Sequence, residues 1–329
     1  MNITSSPVPY STAVEPLLFT LDELDPEAIT TVEVVNAANS TVLGTMRLTG
    51  LERRSIDIAP YLRRHFSISV ISHSATYIVP IVNSVISCYI RIGDVESEIL
   101  HTLLNAPSHS PTATNTLLTD KPLKRTIAAG ESDDLRVLSP SGTLAARFLL
   151  TDVNGTVTPH TISTTEIELM LSLIVDFDSL QRLVTAPLRQ IDVELSNIDG
   201  TVATLSYEVV ERAKESYRVA WYNTRGGYDQ HTFEGVARRE VEFRRTENGT
   251  DYHLCTSRRT LLSLDSGVLA TAEMEALLSI LSSPAVWIFI NGRKRAVKVE
   301  TKSHAESRED GPARLTVQFS WVDNISRTS

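Results

Sequence analysis

The sequence predicts an all-β protein built from several antiparallel, β-sandwich-like domains, with one short helix in the last of them. Three observations predict it. Apolar residues alternate strictly with polar ones over several stretches, the mark of strands with one buried and one wet face. Ile86, Cys88, Ile90 and Ile92 form one such face, Ile167, Leu169, Leu171, Leu173, Val175 and Phe177 a second, and Leu315, Val317, Phe319 and Trp321 a third. Between strand patterns stand Asn154-Gly155, Asp199-Gly200, Asn248-Gly249 and Asn291-Gly292, dipeptides suited to two-residue type I′ hairpin turns. Finally, 329 residues with 42% hydrophobic side chains exceed what one sandwich needs, so two or three domains are expected.

In chain order, residues 1–105 read as an N-terminal β-sandwich domain. Phe66, Ile68 and Val70 alternate with Ser67 and Ser69 as a further strand, after a helical or 3₁₀ turn over Pro60-Tyr61-Leu62-Arg63-Arg64. Residues 106–120, rich in Pro, Ser, Thr and Asn and without period, read as a linker or long loop. A middle β-domain covers 121–205 and a C-terminal β-rich domain 206–329. Twelve of the 20 aromatic residues fall after position 205, which sets the last third apart. Its helix is expected over 271–281: Met274, Leu277, Leu278 and Leu281 share a face, Thr271 is placed to cap it, Glu273 and Glu275 suit its positive end, and Pro284 stops it. Three segments share a strand–turn–strand pattern, Val34–Val42, Leu149–Val157 and Val193–Val202. That pattern fits duplicated β-domains, or simply the common chemistry of hairpins.

Charge and composition exclude several classes. The net charge is −9, with 13 basic against 23 acidic side chains in residues 1–205 and 18 against 17 afterwards. Such acidity argues against general phosphate binding, so nucleic acid is not an expected partner. The basic pairs of the last third are interleaved with acids, as in Arg239-Glu240-Val241-Glu242-Phe243-Arg244, the pattern of a solvated strand face. No apolar run reaches the roughly 18 residues a membrane helix needs, so no membrane span is expected. The N-terminus shows no signal or anchor pattern, which points to cytoplasmic synthesis. Two distant cysteines, Cys88 and Cys255, give no disulfide framework, and Cys88 belongs to an apolar face.

No catalytic constellation emerges. Eight histidines are scattered without ligand spacing. Asp229 and His231 fall on one side of a strand but supply only two ligands. Asp176 and Asp178 read as the polar exit of an apolar strand. Nucleophile elbows, Walker loops and dinucleotide fingerprints are missing. The sequence therefore predicts no enzyme, no cofactor and no metal.

One block stands out, Tyr217 to Phe233, containing Trp221-Tyr222-Asn223, Gly226-Gly227-Tyr228-Asp229 and Phe233. It reads as two strands about a Gly-Gly turn, with Asn223 and Asp229 bonding the turn and Trp221 and Phe233 anchoring it in a core. The competing reading is a ligand platform, with Trp221, Tyr222 and Tyr228 stacked on a sugar that Asn223 and Asp229 hydrogen-bond. The pattern Trp-x-Asn-x-x-Gly-Gly-x-Asp-x-x-x-Phe resembles a block in tail or virion-associated proteins of Bacteroidetes phages and prophages. The following helix, Ser283-Pro284-x-Val286-Trp287, the basic hairpin at Arg293-Lys294-Arg295 and the final alternating strand are also similar, and Ile56–Arg64 more loosely so. The resemblance implies a structural component of a phage-derived tail or baseplate, present in the virion. It would act through protein–protein interfaces with other tail proteins and as a homo-oligomer in assembly. The alternative function is a carbohydrate- or surface-binding β-sandwich module.

Overall fold

The computed structural model describes residues 2–50, 52–68, 77–82, 84–105, 116–140, 142–164, 169–198, 200–247, 253–290, 293–304 and 313–324. They form an all-β, multi-sheet protein with few and short helices. No helix among them is long and apolar enough to cross a membrane.

The first unit is a sandwich. One sheet has the order β1 (Asn2–Ser5), β3 (Leu18–Asp22), β6 (Arg54–Asp57). The other runs β2 (Ser11–Thr12), β10 (Leu100–Leu103), β8 (Val85–Ile92), β4 (Thr30–Asn36), β5 (Val42–Leu48), with β9 (Val95–Glu96) on β8. Phe19, Leu21 and Ile56 of the first sheet meet Val32, Val34, Ile86, Cys88 and Ile90 of the second in one core. The alternation read over Ile86–Ile92 is the buried face of β8. Cys88 is free and fully buried, and burial pushes its thiol up to about 12. It should resist alkylation until the chain unfolds, and Cys88→Ala should cost about 1 kcal/mol in denaturant melts, the scale for one buried methyl-sized group.

The second unit repeats the first. Its sheets have the orders β11 (Thr116–Leu117), β13 (Ser132–Leu138), β16 (Met170–Asp176), and β12 (Lys124–Ile127), β18 (Gly200–Val209), β17 (Leu188–Asn197), β14 (Leu144–Asp152), β15 (Val157–Thr164). Strand for strand this is the first unit's order. In each, the second strand pairs parallel with the last, β2 with β10 and β12 with β18. In each, a short helix follows the last strand of the small sheet: α1 (Ala59–Leu62) after β6, and α2 (Phe177–Gln181) after β16. The match reaches side chains. The Asn36 carboxamide accepts from Ala38 N at 2.8 Å and the Asp152 carboxylate from Asn154 N at 2.8 Å. The next residues, Ala37 and Val153, donate to the carbonyls of Ser87, near the start of β8, and Pro187, just before β17. A positive-φ residue, Ser40 or Gly155, then precedes Thr-Val. Val34–Val42 and Leu149–Val157 are thus equivalent hairpins of a duplicated unit, whereas Val193–Val202 is a different hairpin, β17–β18.

One strand crosses between the units. Residues Ile78–Pro80 (β7) lie within the first unit's sequence but pair antiparallel with β16, extending the second unit's small sheet. Tyr10, Leu103, Leu118, Leu138 and Met170 make a small core at this junction.

The third unit is a seven-stranded sheet in the order β20 (Tyr228–Phe233), β19 (Tyr217–Tyr222), β23 (Val286–Ile290), β24 (Arg293–Val299), β25 (Thr316–Asn324), β22 (His253–Asp265), β21 (Ala237–Glu247). Helix α3 (Thr271–Ser282) covers one end of one face, with Met274, Leu277 and Ile280 packed among Trp221, Phe233, Leu262, Val317 and Phe319.

Several expectations need correction. Residues 66–68 are irregular rather than a strand, and 69–70 lie outside the described residues. Phe66 packs on the first unit's core and Ile68 on a cluster of the third, so their alternation serves two cores instead of one sheet. At Asn154-Gly155 only the glycine has positive φ, and Asp152 closes a longer turn by accepting from Asn154 N and Thr156 N, so this is not a type I′ turn. At the β17–β18 turn, Asn197 pairs with Gly200, so Gly200 is the first strand residue. Asn248-Gly249 and Asn291-Gly292 lie outside the described residues, as does 106–115 of the expected linker, while 116–117 are β11. Thr271 is the first helical residue and Ala270 the cap, with no side-chain bond. Asp176 is more than a strand exit: it caps α2, accepting from Ser179 N at 2.8 Å.

Candidate functional site

The polar chemistry of this protein is concentrated where the third unit lies on the second. β13 is buried along its whole length, on both faces. Leu135 and Val137 point into the sandwich core, while Asp134 and Arg136, two residues apart, point outward to β20. An outer sheet face would ordinarily meet water. Here the hairpin β19–β20, the block singled out in the sequence, covers it.

The block's residues divide by role. Trp221 is fully buried, its indole Nε1 donating to Ser279 Oγ at 2.7 Å, and Phe233 joins the same core. Tyr222 and Tyr228 pack edge to face with 5.4 Å between centroids, and Tyr228 also meets Trp287. The Arg136 guanidinium lies over the Tyr228 ring at 4.7 Å. None of Trp221, Tyr222 and Tyr228 therefore offers a ring to solvent. Asn223 organises the turn as its residue type suggests, its Oδ1 accepting from Gly227 N at 2.9 Å and Arg225 N at 3.1 Å. Its Nδ2 donates away, to the Leu118 carbonyl at 3.0 Å and to Asp229 at 2.9 Å. Asp229 does not bond the turn backbone. It accepts from the Thr119 hydroxyl and, at 2.8 Å, from Asp120 N. Gly226 needs its φ of +89°. Gly227 is required for another reason: a Cβ there would overlap the Leu118 carbonyl oxygen. The Gly-Gly pair is a contact point between units as well as a turn.

Around this contact lies a buried ionic network. Arg125 reaches Asp133 at 3.1 Å, the Thr119 hydroxyl at 2.5 Å and Asp229 at 3.6 Å. Asp133 also accepts from the Tyr207 hydroxyl at 3.1 Å and from Arg218 of β19. Glu131 pairs with Arg212 at 3.1 Å and Arg218 at 3.2 Å, and accepts from the Thr232 hydroxyl at 2.5 Å. Lys121 donates to the Gln230 carbonyl at 2.7 Å. Asp134 is held by Arg136 at 2.8 Å and by the Ser172 hydroxyl. Burial pushes the Asp133 carboxyl up, but Arg218, Arg125 and Lys121 outweigh it and hold it below the usual range. Donors of the same chain surround the carboxylates, so the network ties β12 and β13 to β19 and β20. Sequence reasoning missed Thr119, Lys121, Arg125, Glu131, Asp133, Asp134 and Arg136. The available signal was Ser132-Asp133-Asp134-Leu135-Arg136, charges embedded in a strand bounded by apolar runs.

His231 is on the same side of β20 as Asp229, but its ring stacks edge-on against Phe233, and its Nε2 is buried without a hydrogen-bond partner. Among the described residues no three His, Cys, Asp or Glu side chains are placed to hold a metal ion. Two bases in the joint have depressed values: burial, then Arg125, brings Lys121 from 10.5 to about 8, and burial with Lys121 and Arg218 keeps His231 well below 6.5. Each is a group whose unfolded form binds protons more readily, so stability rises with pH where only the unfolded chain is protonated. For Lys121 that window runs from about 8 to 10.5. Urea melts across it should show stability climbing, and Lys121→Met should flatten the climb.

Neither a family model nor a curated protein matches this chain. Among solved structures it is similar to the calcium binding domain CBD12 of CALX1.1, at 10% identity and a TM-score of 0.20, over 62% of this chain and 96% of that one. It is also similar to trypsin-activated alpha-2-macroglobulin from Escherichia coli, at 10% identity and a TM-score of 0.18, over 98% of this chain and 22% of that one. At these scores neither likeness carries an argument about fold or function.

Proposed function

We propose that the protein is a structural assembly component that works through protein–protein interfaces, of the kind its sequence resemblance implies for a phage-derived tail or baseplate. The observation that carries the reading is the outer edge of the third unit's sheet. β21, eleven residues long, is the outer strand of the seven-stranded sheet and presents Phe243 at 55% exposure, with Val236 beside it at 83%. No strand among the described residues pairs with the outer side of β21, and a long edge strand bearing exposed apolar side chains is a template for pairing with another chain. The buried ionic joint supports the same reading, because it makes the second and third units one body able to carry load between interfaces. The aromatic block is spent inside that joint, which leaves the carbohydrate alternative without an exposed platform there.

The reading is tested by cross-linking mass spectrometry on particles purified from the source cells. The expected result is this chain within the particle, with cross-links from residues beside β21 to another chain. Particles that lack the chain, or cross-links confined to the chain itself, would overturn the reading.

A further inference from the structure

The seven-stranded sheet has a second feature on the face that carries α3. At the α3 end that face is filled by apolar packing. Beyond it the same face opens into a groove of about 670 Å³. Register fixes its lining: Tyr217 and Ile290 continue one row of the face, Arg295 stands opposite Ile288, and Arg239 opposite Leu262. Arg239, Arg258, Arg293 and Arg295 line it together with Tyr217 and Trp321. No carboxylate lines it among the described residues. Arg258 Nε is buried there without a hydrogen-bond partner, and so are two further donors in or beside the groove, Thr260 Oγ1 and Trp321 Nε1. Buried donors left unmatched are costly, and the guanidiniums of Arg239, Arg258 and Arg293, sharing one groove, repel one another. An acceptor-rich anion would relieve both.

We infer that this groove binds an acidic peptide segment of a partner chain, its carboxylates seated on Arg239, Arg258 and Arg293. The inference rests on the assembly reading above and names the chemistry of one partner. A guanidinium matches a carboxylate with two parallel hydrogen bonds. Nucleic acid fits less well. Proteins that track single strands stack bases on open aromatic faces, and here the Trp321 ring is covered by the Arg295 guanidinium at 5.4 Å while Tyr217 packs against the core.

The test uses the full chain, fluorescence anisotropy, and two labelled probes of similar charge, a decaglutamate peptide and a ten-nucleotide oligothymidylate. The expected result is that the peptide binds more tightly, weakens as salt rises, and loses about tenfold or more in affinity in Arg239→Ala/Arg293→Ala. Both side chains are exposed, and an unchanged melting temperature confirms that the variant is folded. Tighter binding of the oligonucleotide, no peptide binding, or equal affinity in the folded variant overturns the inference. Light scattering and cross-linking of the same variant separate the two readings. If the wild-type chain assembles but ignores the peptide, the groove inference fails alone. If the chain binds the peptide but enters no particle, the assembly reading fails.

Discussion

Replacing Asp133 by alanine should destabilise the protein by about 3–5 kcal/mol, the range for breaking a buried ion pair by removing one partner. The expected loss is large because one carboxylate serves three groups, the buried Arg125 guanidinium and Tyr207 hydroxyl and the largely buried Arg218. Each guanidinium would lose one of its two carboxylates, leaving Arg125 only Asp229 at 3.6 Å and Arg218 only Glu131 at 3.2 Å. Asp133→Asn keeps the shape and part of the hydrogen bonding but not the charge, and should recover only a minor part of the loss. Urea denaturation followed by tryptophan fluorescence reads both. A loss below about 1 kcal/mol, typical of an exposed pair, would mean that water reaches the joint.

Trp221→Ala should cost a similar amount, about 3–5 kcal/mol, the usual penalty for truncating a buried aromatic. The indole is fully buried between the sheet and α3, and its loss also leaves Ser279 without its donor. Gly227→Val tests the neighbouring contact separately, since its side chain would collide with the Leu118 carbonyl. It should destabilise the protein by pushing the third unit from the second, leaving the Trp221 core intact. Had the block been a sugar platform, Trp221→Ala would leave the melt nearly unchanged and remove glycan binding. Melts and a glycan array on the same variant distinguish the two.

Much of the fold was legible because strand alternation reports burial directly. The face read at Ile86–Ile92 is the core face of β8. Of that read over Ile167–Phe177, Leu171, Leu173 and Val175 are the core face of β16, Phe177 opens α2, Leu169 is half-buried and Ile167 lies outside the described residues. Of that read over Leu315–Trp321, Leu315, Val317 and Phe319 are core and Trp321 is half-buried against it. What the pattern did not reveal was a second covered face. Asp134 and Arg136 occupy positions that alternation assigns to solvent, and they are buried because another unit lies over them. A period-two pattern marks which side of a strand is apolar, and it is silent on what packs against the other side. The duplication was visible only as one echo, Val34–Val42 against Leu149–Val157. The topology and the Asx turn survive in both copies, while the strand that carries Phe19 in the first core is matched in the second by the strand that carries Asp133. In the block itself the residue types were read correctly as turn formers and anchors. Asp229 and Gly227 were placed too locally, because their partners Thr119, Asp120 and Leu118 are about a hundred residues away.

The most direct test of the central claim, that the second and third units are joined by buried ionic contacts, is a double-mutant cycle on Asp133→Ala and Arg218→Ala. These residues belong to different units and meet only across the joint. Stabilities of the wild type, both single variants and the double variant give the coupling free of each side chain's other contacts. The structure predicts a coupling of about 1.5 kcal/mol or more, as for close charge pairs at a buried interface. Additive effects, within about 0.5 kcal/mol, would contradict it.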